Sequence, residues 1–270
     1  RNIKINKSQW LDDYMAATTD HNVDLIIELI GGAEGPAKKL VFNALKNKKH
    51  VVTANKALIA KYGDQLSKIA EKNKVNLEFE ASVCGGVPII RSLKEGLIAN
   101  KISKIYGIFN GTSNYILSCM DKHNKSFDEV LFNAKKLGYA EKNPSSDLNG
   151  NDVSSKLKIL SSLCFNSFLN NKIYVEGINN IDKIDIDNAN KLGYKIKLLA
   201  FAELLNNKIY QRVHPTLIKN DTYVASIDGV LNAVIVDGKP VGQSIIQGEG
   251  AGPAATTSAL VSKKGINNLL

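Results

Sequence analysis

Between Val23 and Val83 the chain alternates apolar runs with amphipathic stretches, and this alternation constrains the fold more than any other feature. Val23 to Ile30 reads VDLIIELI and is closed by Gly31-Gly32, the pattern of a buried parallel strand. Pro36 to Lys48 then sets Leu40, Val41, Ala44 and Leu45 on one side of a helix. His50 to Thr53 reads as a second strand, Ala57 to Lys72 as a second helix, and Val75 to Val83 alternates as a third strand. A β-α-β-α-β order predicts a parallel sheet with helices on its faces.

The rhythm changes after Gly85-Gly86. Pro88 to about Asn100 reads as a helix, Ile102 to Phe109 as a strand, and a further helix starts at Thr112. Ser126 and Glu129 form a capping box for a helix to Leu137. Tyr194–Leu205, Lys208–Ile218, Gly229–Val236 and Val241–Ile246 follow, the last two joined by the hairpin signal Asp237-Gly238-Lys239-Pro240. This mixture predicts an α+β second domain. His214-Pro215 marks a strand or loop boundary, because a residue before proline prefers extended geometry.

Composition narrows the function. No apolar run is long enough for a membrane helix. The net charge of +9 raises the question of nucleic acid, but the lysines are scattered over helix faces without interleaved aromatics. They read as solvated surface that helps to attract an anionic ligand. Cys84, Cys119 and Cys164 lack metal-like spacing, as expected of free thiols in a reducing cytoplasm.

Chemistry concentrates in Asp147-Leu148-Asn149-Gly150-Asn151-Asp152-Val153-Ser154-Ser155-Lys156. Asp152 and Lys156 are four apart and share one helix face, with Asp147 in the loop before it. Taken alone, this is either a surface ion pair or a lysine and carboxylates arranged for proton transfer. Its company decides. Asn55-Lys56, Glu80 to Pro88 (EASVCGGVP), Asn110-Gly111-Thr112-Ser113-Asn114, Gly138-Tyr139-Ala140-Glu141 and Gly248 to Pro253 (GEGAGP) stand in an order and at a spacing that closely resemble homoserine dehydrogenase. The resemblance runs from about Asp24 to about Ser262.

The resemblance implies an NAD(P)H-dependent oxidoreductase that reduces aspartate 4-semialdehyde to homoserine in threonine and methionine synthesis. Lys156 would be the proton donor and Asp152 its orienting carboxylate. Glu141 and Asp147 would accept the substrate ammonium, and Lys56 would lie between cofactor and substrate. Ile30, Gly31, Gly32, Asn55, Lys56 and Gly252 would contact NAD or NADP. Glu80 with the carbonyls of Val83, Gly85 and Val87 would hold a monovalent cation such as Na⁺. The resemblance further implies a homodimer built through the strands after Gly229. It divides the chain into a partial Rossmann-like domain (residues 1–83 with 253–270) and an inserted α+β catalytic and dimerisation domain (84–252).

Two departures qualify this. No G-x-G-x-x-G occurs near the N-terminus, so the chain is expected to begin inside the dinucleotide-binding domain. Lys263-Lys264-Gly265 is expected to interrupt the last helix. The alternative is a catalytically incomplete fragment, or a binding or assembly protein derived from the enzyme.

Overall fold

The computed structural model describes residues 6–7, 10–165 and 172–261. The chain divides into two compact units, one running up to Phe79 and the other starting at Glu80. The interruption expected at Lys263-Lys264-Gly265 lies outside the described residues.

In the smaller unit β1 (Leu25–Glu28), α1 (Pro36–Lys46), β2 (His50–Thr53), α2 (Lys56–Asn73) and β3 (Leu77–Glu78) follow in turn. The strands form an all-parallel sheet in the order β1-β2-β3. Proline opens α1, and Ala37, Leu40, Val41, Ala44 and Leu45 are buried. The proline lacks the N–H that a first-turn residue would leave unpaired. The Asn55 side chain caps α2 by accepting the Leu58 amide at 3.0 Å, and α2 contributes Leu58, Ile59, Leu66 and Ala70 to the core.

Two expected strands are shorter than their apolar runs. β1 stops at Glu28 because its carboxylate accepts the amides of Ile30 and Gly31, at 2.8 and 2.9 Å, drawing them out of the ladder. Leu29 and Ile30 are exposed rather than buried. β3 ends at Glu78, and a 3-10 turn (Glu80–Ser82) replaces the rest of the predicted strand. Glu80 there turns inward to accept the amides of Ile90 and Arg91, at 2.9 and 2.8 Å.

The larger unit holds a six-stranded mixed sheet, ordered β5-β7-β6-β4-β8-β9. It opens with α3 (Ile89–Arg91), which continues as a π-helical turn (Ser92–Gly96). The single helix expected to Asn100 closes early, with Leu97 N–H donating to the Ser92 carbonyl at 2.7 Å. Next come β4 (Lys101–Ile108), α4 (Gly111–His123), α5 (Phe127–Leu137), α6 (Ser145–Leu148) and α7 (Asn151–Phe165). The Ser126/Glu129 capping box on α5 is present. After β5 (Tyr174–Val175), α8 (Lys183–Lys191) carries a second capping box from Asp182 and Asp185. Sequence reasoning passed over this helix, although the spacing of the two aspartates carries the signal.

β6 (Tyr194–Leu205) and β7 (Lys208–Lys219) pair antiparallel along their whole length. His214-Pro215 is not a boundary: β7 runs straight through it, with Pro215 opposite Leu198. Proline is tolerated because β5 covers only Arg212 and Val213 on the other side, so the missing N–H interrupts no ladder there. The hairpin of β8 (Leu231–Lys239) and β9 (Gly242–Glu249) turns at Pro240-Val241, beyond the predicted position. The last helix, α9 (Pro253–Val261), belongs to the larger unit and packs on Glu80–Ser82. The sequence reading grouped it with the nucleotide half. α4 and α7 pack on the six-stranded sheet through Ile116, Leu117, Leu157 and Leu160. Each such side chain contributes about 1.5–3 kcal/mol on burial.

Candidate active site

The end of β4 organises the chemistry of the larger unit. Phe109 and Asn110 follow β4 directly, and Asn110 caps α4 by accepting the Ser113 amide at 2.8 Å. α7 starts behind Gly150, whose φ of +82° allows the sharp turn out of α6. The turn aims the first-turn face of α7 at the end of β4. Lys156 Nζ donates to the Phe109 carbonyl at 2.7 Å and pairs with Asp152 Oδ2 at 2.8 Å. Both side chains are largely buried, Lys156 at 11% and Asp152 at 6% exposure, so the pair is no surface ion pair. Asp147 stands on α6 rather than in a loop. Asn110 Nδ2 donates to Asp147 Oδ1 at 2.8 Å and to Asp152 Oδ2 at 2.9 Å.

The electrostatics follow from this crowding. Burial alone pulls the Lys156 ammonium down, but the surrounding acidic groups, Asp152 foremost, outweigh it and leave its pKa above the ordinary lysine value. Lys156 is therefore a cation at neutral pH. Burial raises the Asp147 carboxyl, opposed by the Asn110 amide and assisted by the Asp152 charge. Burial pushes the Cys84 thiol up to about 11, so Cys84 stands beside this group as a neutral thiol. Its Sγ accepts from Asn232 Nδ2 at 3.5 Å. A Cβ on Gly250 would collide with the Asn232 amide, which explains glycine there.

Glu141 is exposed and is not tied to Asp147, Asp152 or Lys156 by any hydrogen bond or ion pair described. Its segment is held nearby, since Thr112 Oγ1, in the first turn of α4, donates to the Tyr139 carbonyl at 2.7 Å. The Tyr139 ring also packs at a tilt of 56° against Tyr115, with 4.9 Å between ring centroids. Gly252, with φ +108° and open space where a Cβ would stand, precedes α9. Each Glu80 oxygen accepts one amide, and the Val87 carbonyl accepts the Ile89 amide at 2.7 Å.

In the smaller unit, Ile30, Gly31 and Gly32 leave the carboxyl end of β1. Gly31 and Gly32 have φ of +85° and +81°, with no atom closer than 3.8 Å to a built Cβ. Such bare backbone at the carboxyl edge of a parallel sheet suits a dinucleotide. Asn55 Nδ2 holds the turn by donating to the Gly32 carbonyl at 2.8 Å, and Lys56 is half-buried in the first turn of α2. Sequence reasoning missed the support beneath. The fully buried Glu28 carboxylate also accepts Thr53 Oγ1 at 2.5 Å, and Thr53 Oγ1 in turn accepts the Asn55 amide at 2.9 Å. An acid at the end of an apolar strand followed by two glycines was the available signal. The bridging amide of Asn110 was missed as well; only its capping role was legible.

Among the described residues no group of three or more His, Cys, Asp or Glu could hold a metal ion, and no helix is long and apolar enough to cross a membrane. Family models match both units: homoserine dehydrogenase over residues 88–263, and the homoserine dehydrogenase NAD-binding domain over residues 4–80. The homoserine dehydrogenase of Neisseria gonorrhoeae is 48% identical over 242 residues, covering 89% of this chain and 55% of that protein. The crystal structure of a homoserine dehydrogenase from Thiobacillus denitrificans superposes with a TM-score of 0.85 at 48% identity, covering 88% of this chain and 56% of that one. A hyperthermophilic archaeal homoserine dehydrogenase in complex with NADPH superposes with a TM-score of 0.75 at 28% identity, covering 88% of this chain and 69% of that one. The chain thus spans little more than half the length of the first two. With both units matched and the Asp147–Asp152–Lys156 group assembled, the chain belongs to the homoserine dehydrogenase family.

Proposed function

We propose that this chain carries the reductive chemistry of its family: conversion of aspartate 4-semialdehyde to homoserine with NADH or NADPH. The observation that carries the reading is the Lys156 ammonium, buried and held by two acceptors, Phe109 O and Asp152 Oδ2. An ammonium has three protons, so one remains for a substrate oxygen. A bound reduced nicotinamide supplies the hydride. As negative charge develops on the aldehyde oxygen, Lys156 stabilises it and donates the proton that completes the alcohol. Its raised pKa keeps the donor protonated at neutral pH, and transfer to the developing alkoxide stays downhill because an alkoxide is far more basic than an amine. Asp152 keeps Lys156 charged and oriented.

Asp147 and Glu141 are proposed to accept the substrate ammonium, and Lys56 to bind the substrate or the cofactor. Ile30, Gly31, Gly32 and Asn55 of the smaller unit, and Gly252 of the larger, are the proposed cofactor contacts. The NAD-binding family model, matched over residues 4–80, supports a cofactor role for the smaller unit. Glu80 with the Val83, Gly85 and Val87 carbonyls offers an all-oxygen donor set that suits a hard monovalent cation, and each Glu80 oxygen has a lone pair left over. No step above depends on that ion. A homodimer is proposed through the β9 side of the sheet, where Ile245 is exposed. Three free cysteines fit a cytoplasmic setting.

The test is NADPH and NADH oxidation with aspartate 4-semialdehyde, on this chain and on a form extended at its N-terminus by a relative's Gly-rich β-α-β unit. Turnover in either supports the proposal. A folded, extended form without turnover overturns it in favour of a binding or assembly protein.

A further inference from the structure

We propose that Asn110 is a positioning residue whose single amide group sets the spacing and charge of the two active-site carboxylates. Its Nδ2 sends one proton to Asp147 Oδ1, at 2.8 Å, and the other to Asp152 Oδ2, at 2.9 Å. Its Oδ1 accepts the Ser113 amide, so both N–H groups and the oxygen are engaged, three of its four hydrogen-bonding positions, and the amide orientation is determined by its surroundings. Asn110 is almost wholly buried, and it adjoins Phe109, whose carbonyl takes Lys156. Two successive residues at the end of β4 therefore grip the whole group, one the ammonium and the other both carboxylates.

The chemistry explains why an amide stands there. Two carboxylates brought to one donor repel each other, and burial favours their protonated forms. A neutral donor lowers the cost of keeping both ionised without adding a cation that would compete with Lys156 for Asp152. A serine or aspartate at this position would cap α4 equally well, but neither supplies two N–H groups. A carboxylate would add a third negative charge. The capping role alone therefore does not account for asparagine.

The role rests on the dehydrogenase reading for its kinetic consequence but not for its physical basis, and the test separates the two. Asn110→Ser and Asn110→Asp keep the cap acceptor and lose the bridging donors. Carboxyl ¹³C NMR of this chain as a function of pH follows Asp147 directly. In both variants its titration is expected to move to higher pH, further in Asn110→Asp, where three acids share the site. In the extended form, kcat is expected to fall through Asp152 and Lys156 while KM rises through Asp147, with a combined loss in kcat/KM of roughly tenfold to a hundredfold. An Asp147 titration unmoved in folded Asn110→Ser, or wild-type kinetics in either variant, would overturn the role and leave Asn110 a helix cap. Because the titration needs no turnover, failure of the dehydrogenase reading shows separately, as an inactive wild-type form.

Discussion

Replacing Lys156 with methionine separates its catalytic role from its structural one. The substitution keeps most of the side-chain volume and removes the cation. Asp152 is then left buried with the Asn110 amide but without its ion-pair partner at 2.8 Å. Breaking a buried pair from one side costs about 3–5 kcal/mol, mostly the penalty of the uncompensated charge. The loss should be smaller at low pH, where a lone buried carboxylate takes up a proton. Adding Asp152→Asn removes the stranded charge, so the double variant should lose less than the sum of the single variants, by about 1–3 kcal/mol. Urea unfolding of the four proteins at pH 7 measures this cycle. Turnover in the extended form tests the other half: loss of a general acid lowers kcat by roughly 10²–10⁴, equivalent to about 3–5 kcal/mol of transition-state stabilisation. The double variant should regain stability without regaining turnover. Additive stability losses would refute the buried pair, and unchanged turnover would refute Lys156 as proton donor.

Glu28→Ala should destabilise the smaller unit by roughly 1–3 kcal/mol, because the buried Thr53 hydroxyl loses its acceptor while the exposed Ile30 and Gly31 amides turn to water; the urea midpoint reports it, and an unchanged midpoint would show that water also replaces the carboxylate at Thr53. Gly177→Ala would drive a Cβ into the Leu148 carbonyl and Asn149, at the junction of α6 and α7. A loss of about 1–3 kcal/mol is expected together with a raised KM, as Asp147 on α6 shifts. Asp228 offers a pH test. Burial alone would raise its carboxyl, but the Lys122 and Lys197 ammoniums, each bonded to it, hold it at about 2 against an ordinary 3.8. Its folded value lies below its unfolded one, so its stabilisation is present above pH 3.8 and is lost as pH falls toward 2. Acid unfolding of Asp228→Asn should lack this component; curves that differ only by a constant offset would exclude it.

Lys197 shows what periodicity conceals. It reads as one more polar residue of β6, yet it is buried, with its ammonium bonded to Asn114 Oδ1, Ser118 Oγ, the Ile227 carbonyl and Asp228 Oδ1. No local pattern marks it, because its acceptors come from α4 and from the turn before β8. The parallel β-α-β-α-β order, the Ser126/Glu129 cap and the Asp152/Lys156 face were all legible, because each depends on residues a few positions apart. Strand ends were not: β1 and β3 stop where Glu28 and Glu80 turn their carboxylates onto backbone amides.

The candidate site divides along the same line. Sequence alone determined which residue types are present and that Asp152 and Lys156 share a helix face, since the helical repeat imposes it. Tertiary structure decided that the pair is buried, that Asp147 and Asp152 share one amide, and that the Phe109 carbonyl fixes the ammonium. Asn110 lies 37 residues before Asp147 and 42 before Asp152. Contacts over such separations form only when β4, α6 and α7 close on one another, and that packing also withdraws the solvent that would otherwise screen the charges.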